Sequence, residues 1–257
     1  GGTALGSSRS KRFFEYEFRK QAFDNLQKLG ISKLIIIGGD GSFNALNQFY
    51  VDFNVPFAGI PATIDNDISG TDYCLGVDTA LNMIRSSVDS IRDTASSFSR
   101  AFVIETMGRD CGYLAMVSAL ANGAEVCLVP EIKYDLDAVG ERLRKERAAG
   151  KRYILGIVAE GTGMAEPLTR WMGEFLDMDA RLTVLGHVQR GGSPTVYDRI
   201  MAYKFAVAAV DHLLAGETNR VVTFKNGRFG SSSIHQISDV KHECEAGLLD
   251  LVRGLSC

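Results

Sequence analysis

Two short runs of the chain hold the residue types that phosphate chemistry requires. In Gly38-Gly39-Asp40-Gly41-Ser42 the glycines let backbone N–H groups approach an anionic phosphate closely, and a helix starting beside them adds a favourable dipole. Asp40 is the natural magnesium ligand there, because Mg2+ on phosphates is held by one or two carboxylates plus water. The plainer reading is a Gly-rich turn with Asp40 as a helix N-cap. In Thr63-Ile64-Asp65-Asn66-Asp67 two carboxylates lie two residues apart, so an extended backbone points both to one side. One base plus one metal ligand suits phosphoryl transfer to a hydroxyl; an Asx-turn with solvated carboxylates is the alternative.

Basic side chains gather in two further places. Arg100 and Arg109 flank AFVIETMG, and Arg181, His187 and Arg190 flank LTVLGHVQRGG. Guanidinium groups fork onto phosphate oxygens and stay charged, so several converging on one crevice would bind a phosphorylated sugar. Any one of them alone is more often a solvated ion pair, and His187 alone reads as a hydrogen-bonded structural histidine. Glu160, which closes YILGIVAEG, either holds sugar hydroxyls or caps the next turn.

Short β-rich runs alternate with amphipathic helical stretches, the pattern of mostly parallel sheets covered by helices. Strands are expected at Lys33–Ile37, Pro56–Ile60, Ala101–Met107, Val126–Pro130, Tyr153–Ala159 and Leu182–Leu185. The first two run straight into the two loops above, and ligands in open α/β sheets bind beyond strand C-termini. Helical spacing joins Phe18, Ala22, Leu26 and Leu29, then Val77, Leu81, Ile84, Val88 and Ile91, and later Met201, Phe205, Ala208 and His212. Val221–Phe224 followed by Asn226-Gly227 predicts a strand entering a tight hairpin.

Composition narrows the class. Of 257 residues, 46% are hydrophobic and 23% charged, enough for one large α/β domain or two packed ones. A formal net charge of -3 argues against general affinity for nucleic acid or membrane surfaces. No apolar run approaches the roughly 20 residues that span a bilayer, and no signal peptide is visible. The five cysteines, Cys74, Cys111, Cys127, Cys244 and Cys257, are scattered without CxxC pairing and read as reduced thiols in a cytoplasmic protein. The chain opens on GGTALGSSR with neither an initiator Met nor a preceding strand. That predicts a piece of a longer protein, with an exposed strand edge beside Lys33–Ile37.

GGTALGSSR, GGDGS, PATIDNDISGTD, SRAFVIETMGRDCGYLA, VAEGTG and RLTVLGHVQRGGSPTVYDR, in this order and spacing, resemble the bacterial phosphofructokinase family along the whole chain. The resemblance implies two Rossmann-like lobes with mostly parallel sheets and an active site in the cleft between them. The lobes would be 1–76 plus 189–239 for the nucleotide and 77–188 plus 240–257 for the sugar phosphate. It further implies transfer of a phosphoryl group from ATP to the 1-hydroxyl of fructose 6-phosphate, with Mg2+, by a cytoplasmic homo-oligomer, typically a tetramer.

By the same resemblance Asp65 is the base, Thr63 a neighbour of the transferring phosphate, and Arg9 and Arg109 the arginines that steady its charge. Asp40, supported by Asp67, holds the metal, and Gly39, Gly41 and Ser42 line the nucleotide site. Met107, Gly108, Glu160 and Arg190 contact the sugar. His187, Arg100 and Arg181 clamp its 6-phosphate, with Arg100 and Arg181 supplied by a neighbouring subunit. Arg92, Glu131 and Lys151 match effector positions. The family's initial strand and GGDxPGMN loop have no counterpart here. Ala62 stands where ATP-using members usually carry Gly; pyrophosphate-using relatives carry Lys there and Asp in place of Gly41, so the chain sides with ATP. A lipid or NAD kinase, and a non-catalytic member of the fold, are the competing readings.

Overall fold

The structure is a computed structural model that describes the chain except residues 1, 9 and 239–242 and the side chains of 95–98 and 238. The role expected of Arg9 therefore lies outside the described residues, as does the chain crossing expected at 239–240. The chain divides into two compact units, one of residues 1–63, 68–76 and 194–242, the other of 64–67, 77–193 and 243–257. From sequence, 64–67 and 189–193 were placed with the first unit. They go with the second because Asp65 pairs with Arg109, and because Gln189 accepts a hydrogen bond from the Met107 N–H.

The first unit begins with helix α1 (Tyr16–Lys28), strand β1 (Leu34–Gly38), helix α2 (Asp40–Phe53) and strand β2 (Phe57–Pro61). The second unit follows with α3 (Val77–Phe98), β3 (Ala101–Thr106), α4 (Tyr113–Asn122), β4 (Val126–Leu128), α5 (Leu136–Ala148), β5 (Ile154–Ala159), α6 (Ala165–Leu176) and β6 (Ala180–Val184). The chain then returns to the first unit with α7 (Val196–Leu214), β7 (Arg220–Lys225), β8 (Arg228–Ser233) and α8 (Ile234–Ser238), and α9 (Ala246–Ser256) completes the second. No helix among the described residues is long and apolar enough to cross a membrane.

In the first unit the sheet order is β1-β2-β7-β8. β1, β2 and β7 run parallel, and β8 folds back antiparallel on β7. Asn226 and Gly227, both at positive φ, make the two-residue turn expected from that dipeptide. Among the described residues β1 lies at one end of this sheet, and the Ile35 and Ile37 side chains on one of its faces are exposed. The buried stripe of α7 runs through Met201, Phe205, Ala209 and Leu213. The predicted line, which takes a three-residue step from Phe205 to Ala208 and on to His212, is thus one residue off: the buried stripe keeps four-residue steps, and both residues lie half-buried beside it.

The second sheet, β4-β5-β3-β6, is wholly parallel. β4 and β5 are buried along their whole length, as strands covered by helices on both faces must be. One side of this core joins Val139 and Leu143 of α5 to Leu168 and Met172 of α6 over Val126, Ile154 and Val158. A Cβ at Gly140 would stand 2.4 Å from the Phe175 ring, so α5 meets α6 at a glycine. Helices α4 and α5 escape sequence periodicity for opposite reasons: α4 is apolar almost all round, whereas α5 is mostly charged.

The two ends of α5 give a graded test. Leu143 is fully buried, whereas the Asp135 carboxylate accepts from the N–H groups of Asp137 and Ala138 as an N-cap. Leu143→Ala should cost about 2–5 kcal/mol and Asp135→Ala about 1 kcal/mol. Urea denaturation followed by the fluorescence of the single tryptophan, Trp171, which stacks on Phe175 in this core, reads both. A larger loss from the cap than from Leu143 would contradict this packing.

Candidate active site

In the first unit the two phosphate-type loops leave adjacent parallel strands. Ala62 N–H donates to Gly38 O at 2.8 Å, so the loops after β1 and β2 start level. A Cβ on Gly39 would lie 3.6 Å from Thr63 Cβ, which puts the GGDGS turn beside the start of PATIDND. Gly39, not Asp40, is the N-cap of α2; Asp40 is its first residue, where the helix dipole favours a carboxylate. Gly39 O accepts from Ser42 and Phe43 N–H at 2.9 and 3.2 Å. A Cβ on Gly41 would meet nothing within 4 Å, so the packing of this chain does not require a glycine there.

In the second unit β3 and β5 pair with Thr106 opposite Ala159, so the turn after one strand lies beside Glu160 after the other. Glu160 Oε1 accepts the Gly108 N–H at 3.2 Å and the Arg109 N–H at 2.9 Å. The Glu160 carboxylate thus braces a turn on the neighbouring strand rather than the turn that follows it in sequence. Gly108 has φ +138°, and a Cβ there would meet Cys111 O at 2.3 Å; a Cβ on Gly161 would meet Arg109 O at 2.0 Å. Arg109 itself takes φ +53°, a left-handed conformation costly for a residue with a side chain.

That backbone aims the guanidinium at the TIDND run. Arg109 Nε lies 3.2 Å from Asp65 Oδ2, and Arg109 Nη1 lies 4.0 Å from Asp67 Oδ2. Asp65 is 2% exposed, whereas the side chain of Arg109 is 55% exposed. Asn66, also left-handed and buried, turns the chain between the two aspartates. Burial raises the Asp65 pKa above its ordinary 3.8, and the neighbouring Asp67 charge adds to this; Arg109 and Arg190 pull it down. A buried carboxylate with a raised pKa, edged by two arginines, has the electrostatics of a proton acceptor.

Gln189 was not singled out from sequence. It is 1% exposed, its Oε1 accepts the Met107 N–H at 3.1 Å, and its Nε2 donates to Gly186 O at 3.0 Å. It thereby fastens the 3-10 turn Gly186–Arg190, which carries His187 and Arg190, to the end of β3. A glutamine between a histidine and an arginine carries no sequence signal of its own.

The family model described as PFK: Phosphofructokinase matches residues 1–213. The chain belongs to the phosphofructokinase family. It is 51% identical over 254 residues to a curated protein of Sulfurimonas denitrificans named ATP-dependent 6-phosphofructokinase, across 98% of this chain and 80% of that one. A Staphylococcus aureus protein of the same name is 45% identical over 258 residues, across 100% of this chain and 80% of its own. Among solved structures, Pichia pastoris phosphofructokinase in the T-state is similar with a TM-score of 0.85 and 33% identity, over 93% of this chain. This chain spans 30% of the length of that yeast chain. The lipid-kinase and NAD-kinase readings fall away with the family match.

Other positions of interest in this phosphofructokinase chain lie apart from the Asp65 turn. Arg100 precedes β3, and Arg181 pairs in register with Phe102, so both stand at the N-terminal end of the second sheet. Met107 to Arg109 stand at the other end, about 20 Å away along a strand rising ~3.3 Å per residue. Both arginines grip Asp179: Arg100 Nε at 2.8 Å from Oδ2, Arg181 Nε at 3.0 Å from Oδ1. Among the positions matched to effector contacts, Arg92 pairs with Asp89 at 2.6 Å and Lys151 with Glu125 at 2.6 Å. Glu131 Oε1 accepts the Gly112 N–H at 2.7 Å.

The pKa of Asp65 makes a directional prediction. A proton acceptor must be ionised, so kcat/KM should fall on acidification through a pKa above the ordinary aspartate value. The Arg109 charge lowers that pKa. Arg109→Gln should therefore move the acid limb of the pH–kcat/KM profile to higher pH, besides lowering its plateau. An unmoved or acid-shifted limb would show that Asp65 is not the titrating group.

Proposed function

We infer that the chain transfers the γ-phosphoryl group of ATP to the 1-hydroxyl of fructose 6-phosphate, giving fructose 1,6-bisphosphate and ADP, the committed phosphorylation of glycolysis. The observation that carries this reading is the buried Asp65 carboxylate held 3.2 Å from the Arg109 guanidinium. Asp65 accepts the proton of the 1-hydroxyl as that oxygen forms its bond to the γ-phosphorus and the bond to ADP breaks. The exposed Arg109 side chain turns toward the moving phosphoryl group and balances its charge, while its backbone stays fixed by Glu160. Met107, Gly108, Glu160 and Arg190 hold the sugar, and Thr63 and the Gly39–Ser42 turn, with Arg9, receive the nucleotide phosphates.

The carboxylates of Asp40 and Asp67 are each of the hard oxygen type that magnesium takes, and Asp67 keeps a 21% exposed side chain beside Arg109. When bound, the ion neutralises phosphate charge. A coupled assay supplying fructose 6-phosphate with either ATP or pyrophosphate tests the reading; turnover with neither would sink it.

Gly41 supports ATP as donor, because among the described residues nothing comes within 4 Å of a Cβ placed there. Asp at this helix N-terminus would satisfy the dipole and leave the fold intact, yet fill that space with bulk and negative charge. Gly41→Asp should cut ATP-driven turnover at least about tenfold, a loss of ~1.4 kcal/mol, with Tm unchanged. An ATP KM and kcat equal to the parent's would refute this placement.

The distal position of Arg100 and Arg181 supports a homo-oligomer, a tetramer by family likeness, in which these arginines complete a neighbour's 6-phosphate site with His187. Arg181→Ala should raise the sugar-phosphate KM about ten- to hundredfold and leave the ATP KM nearly constant. Asp65→Asn should lower kcat about 10²- to 10⁴-fold. Hybrids of the two variants should recover activity through sites that receive intact parts from both subunits. Verified hybrids without recovery would mean that each subunit builds its own site.

A further inference from the structure

Cys111, Glu131 and Cys244 are far apart in sequence and converge in the second unit. One donor atom from each, the two Sγ atoms and a carboxylate oxygen, all lie within 4.8 Å of one another. Cys244 Sγ stands 3.5 Å from Glu131 Oε1. Two ligands of a tetrahedral zinc-type ion, sulfur at ~2.3 Å and oxygen at ~2.1 Å, stand about 3.6 Å apart, so this pair needs no rearrangement. Both thiols are buried, Cys111 4% and Cys244 8% exposed. Glu131 is already oriented by the Gly112 N–H at 2.7 Å, the outer contact that well-formed metal sites provide. Glu131 also lines a cavity of about 530 Å³ with Lys133, Leu249, Arg253 and Cys257, which offers a path to its carboxylate.

We propose that Cys111, Glu131 and Cys244 form a binding site for a thiophilic divalent cation of the zinc class. Two sulfurs and one carboxylate oxygen are the donors such an ion selects over magnesium, which takes oxygen alone. The site reaches the catalytic turn through the chain itself. Cys111 N–H donates to Gly108 O at 2.9 Å, closing the turn that carries Arg109, and Cys111 Sγ lies 3.8 Å from Asn66 O, between the two site aspartates. A bound ion would clamp the segment leading into α9 to the turn that aims Arg109 at Asp65. Nothing in this depends on which phosphoryl donor is used.

The test uses the full chain, reduced and stripped with a chelator, titrated with Zn2+ against a chromophoric competitor and separately with Co2+. One equivalent of Zn2+ should bind, Co2+ should give a thiolate charge-transfer band in the near ultraviolet, and Zn2+ should raise Tm. Cys111→Ser and Cys244→Ser should each abolish the band, and Glu131→Gln, which keeps the shape of the carboxylate, should weaken Zn2+ binding about tenfold or more. Cys257→Ser, which removes the exposed thiol at the cavity, should leave binding intact. The proposal is overturned by less than one equivalent bound to the parent chain, or by binding that survives both buried-thiol variants. Loss of binding on Cys257→Ser alone, or a Cys111–Cys244 disulfide found in place of the thiols, also overturns it.

Discussion

A carboxylate that is nearly inaccessible to water must be held against a positive charge, and the second unit is arranged around satisfying that need at Asp65. Unpaired, a buried carboxylate would take up a proton near neutral pH and lose its use as a base. The partner, Arg109, stands in a left-handed backbone conformation that it would not adopt alone. The strain is held by neighbours: Glu160 binds two successive N–H groups, and the absence of side chains at Gly108 and Gly161 lets Cys111 O and Arg109 O close in. Asp65 sits 44 residues before Arg109, and Glu160 51 after it, so this constraint is tertiary throughout.

Parallel strand polarity does the rest of the sorting. Every strand of the second sheet runs the same way, so residues after β3 and β5 gather at one end and residues at the start of β3 and β6 gather at the other. Met107 to Arg109 and Glu160 belong to the first group, and Gln189 draws the His187 and Arg190 turn to join them. Arg100 and Arg181 belong to the second and share Asp179. Arginines that look equivalent along the chain thus fall on opposite ends of one sheet. A charge cluster inferred from composition alone carries no such direction.

Much of the fold was legible beforehand because buried parallel strands announce themselves as unbroken apolar runs and a hairpin of Asn-Gly type has few alternatives. The strands Phe57–Pro61, Val126–Leu128 and Ile154–Ala159, buried throughout, the α3 stripe through Ile84 and Val88, and the turn at Asn226-Gly227 follow from that local chemistry. Where a helix has no polar face, as in α4, or little apolar face, as in α5, periodicity vanishes and only packing places it. The start of α2 shows how fine the boundary is: Asp40 is one residue past the cap position, which Gly39 fills in ordinary extended geometry.

By itself the sequence determined which charged groups and which freely turning backbone are on hand, since Asp, Arg and Gly bring their charge and backbone freedom wherever they go. It determined the α/β class and the family through motifs whose order is one-dimensional. Only the tertiary structure decided which carboxylate is buried, which arginine faces it, and that Gln189 holds the turn carrying His187 and Arg190 in place. It also decided that Cys111 and Cys244, 133 positions apart and without any metal-type spacing, bring their sulfurs to one carboxylate. The reason is common to all four: desolvation and ligand geometry depend on distances between residues remote in sequence, and those distances exist only once the sheets have closed.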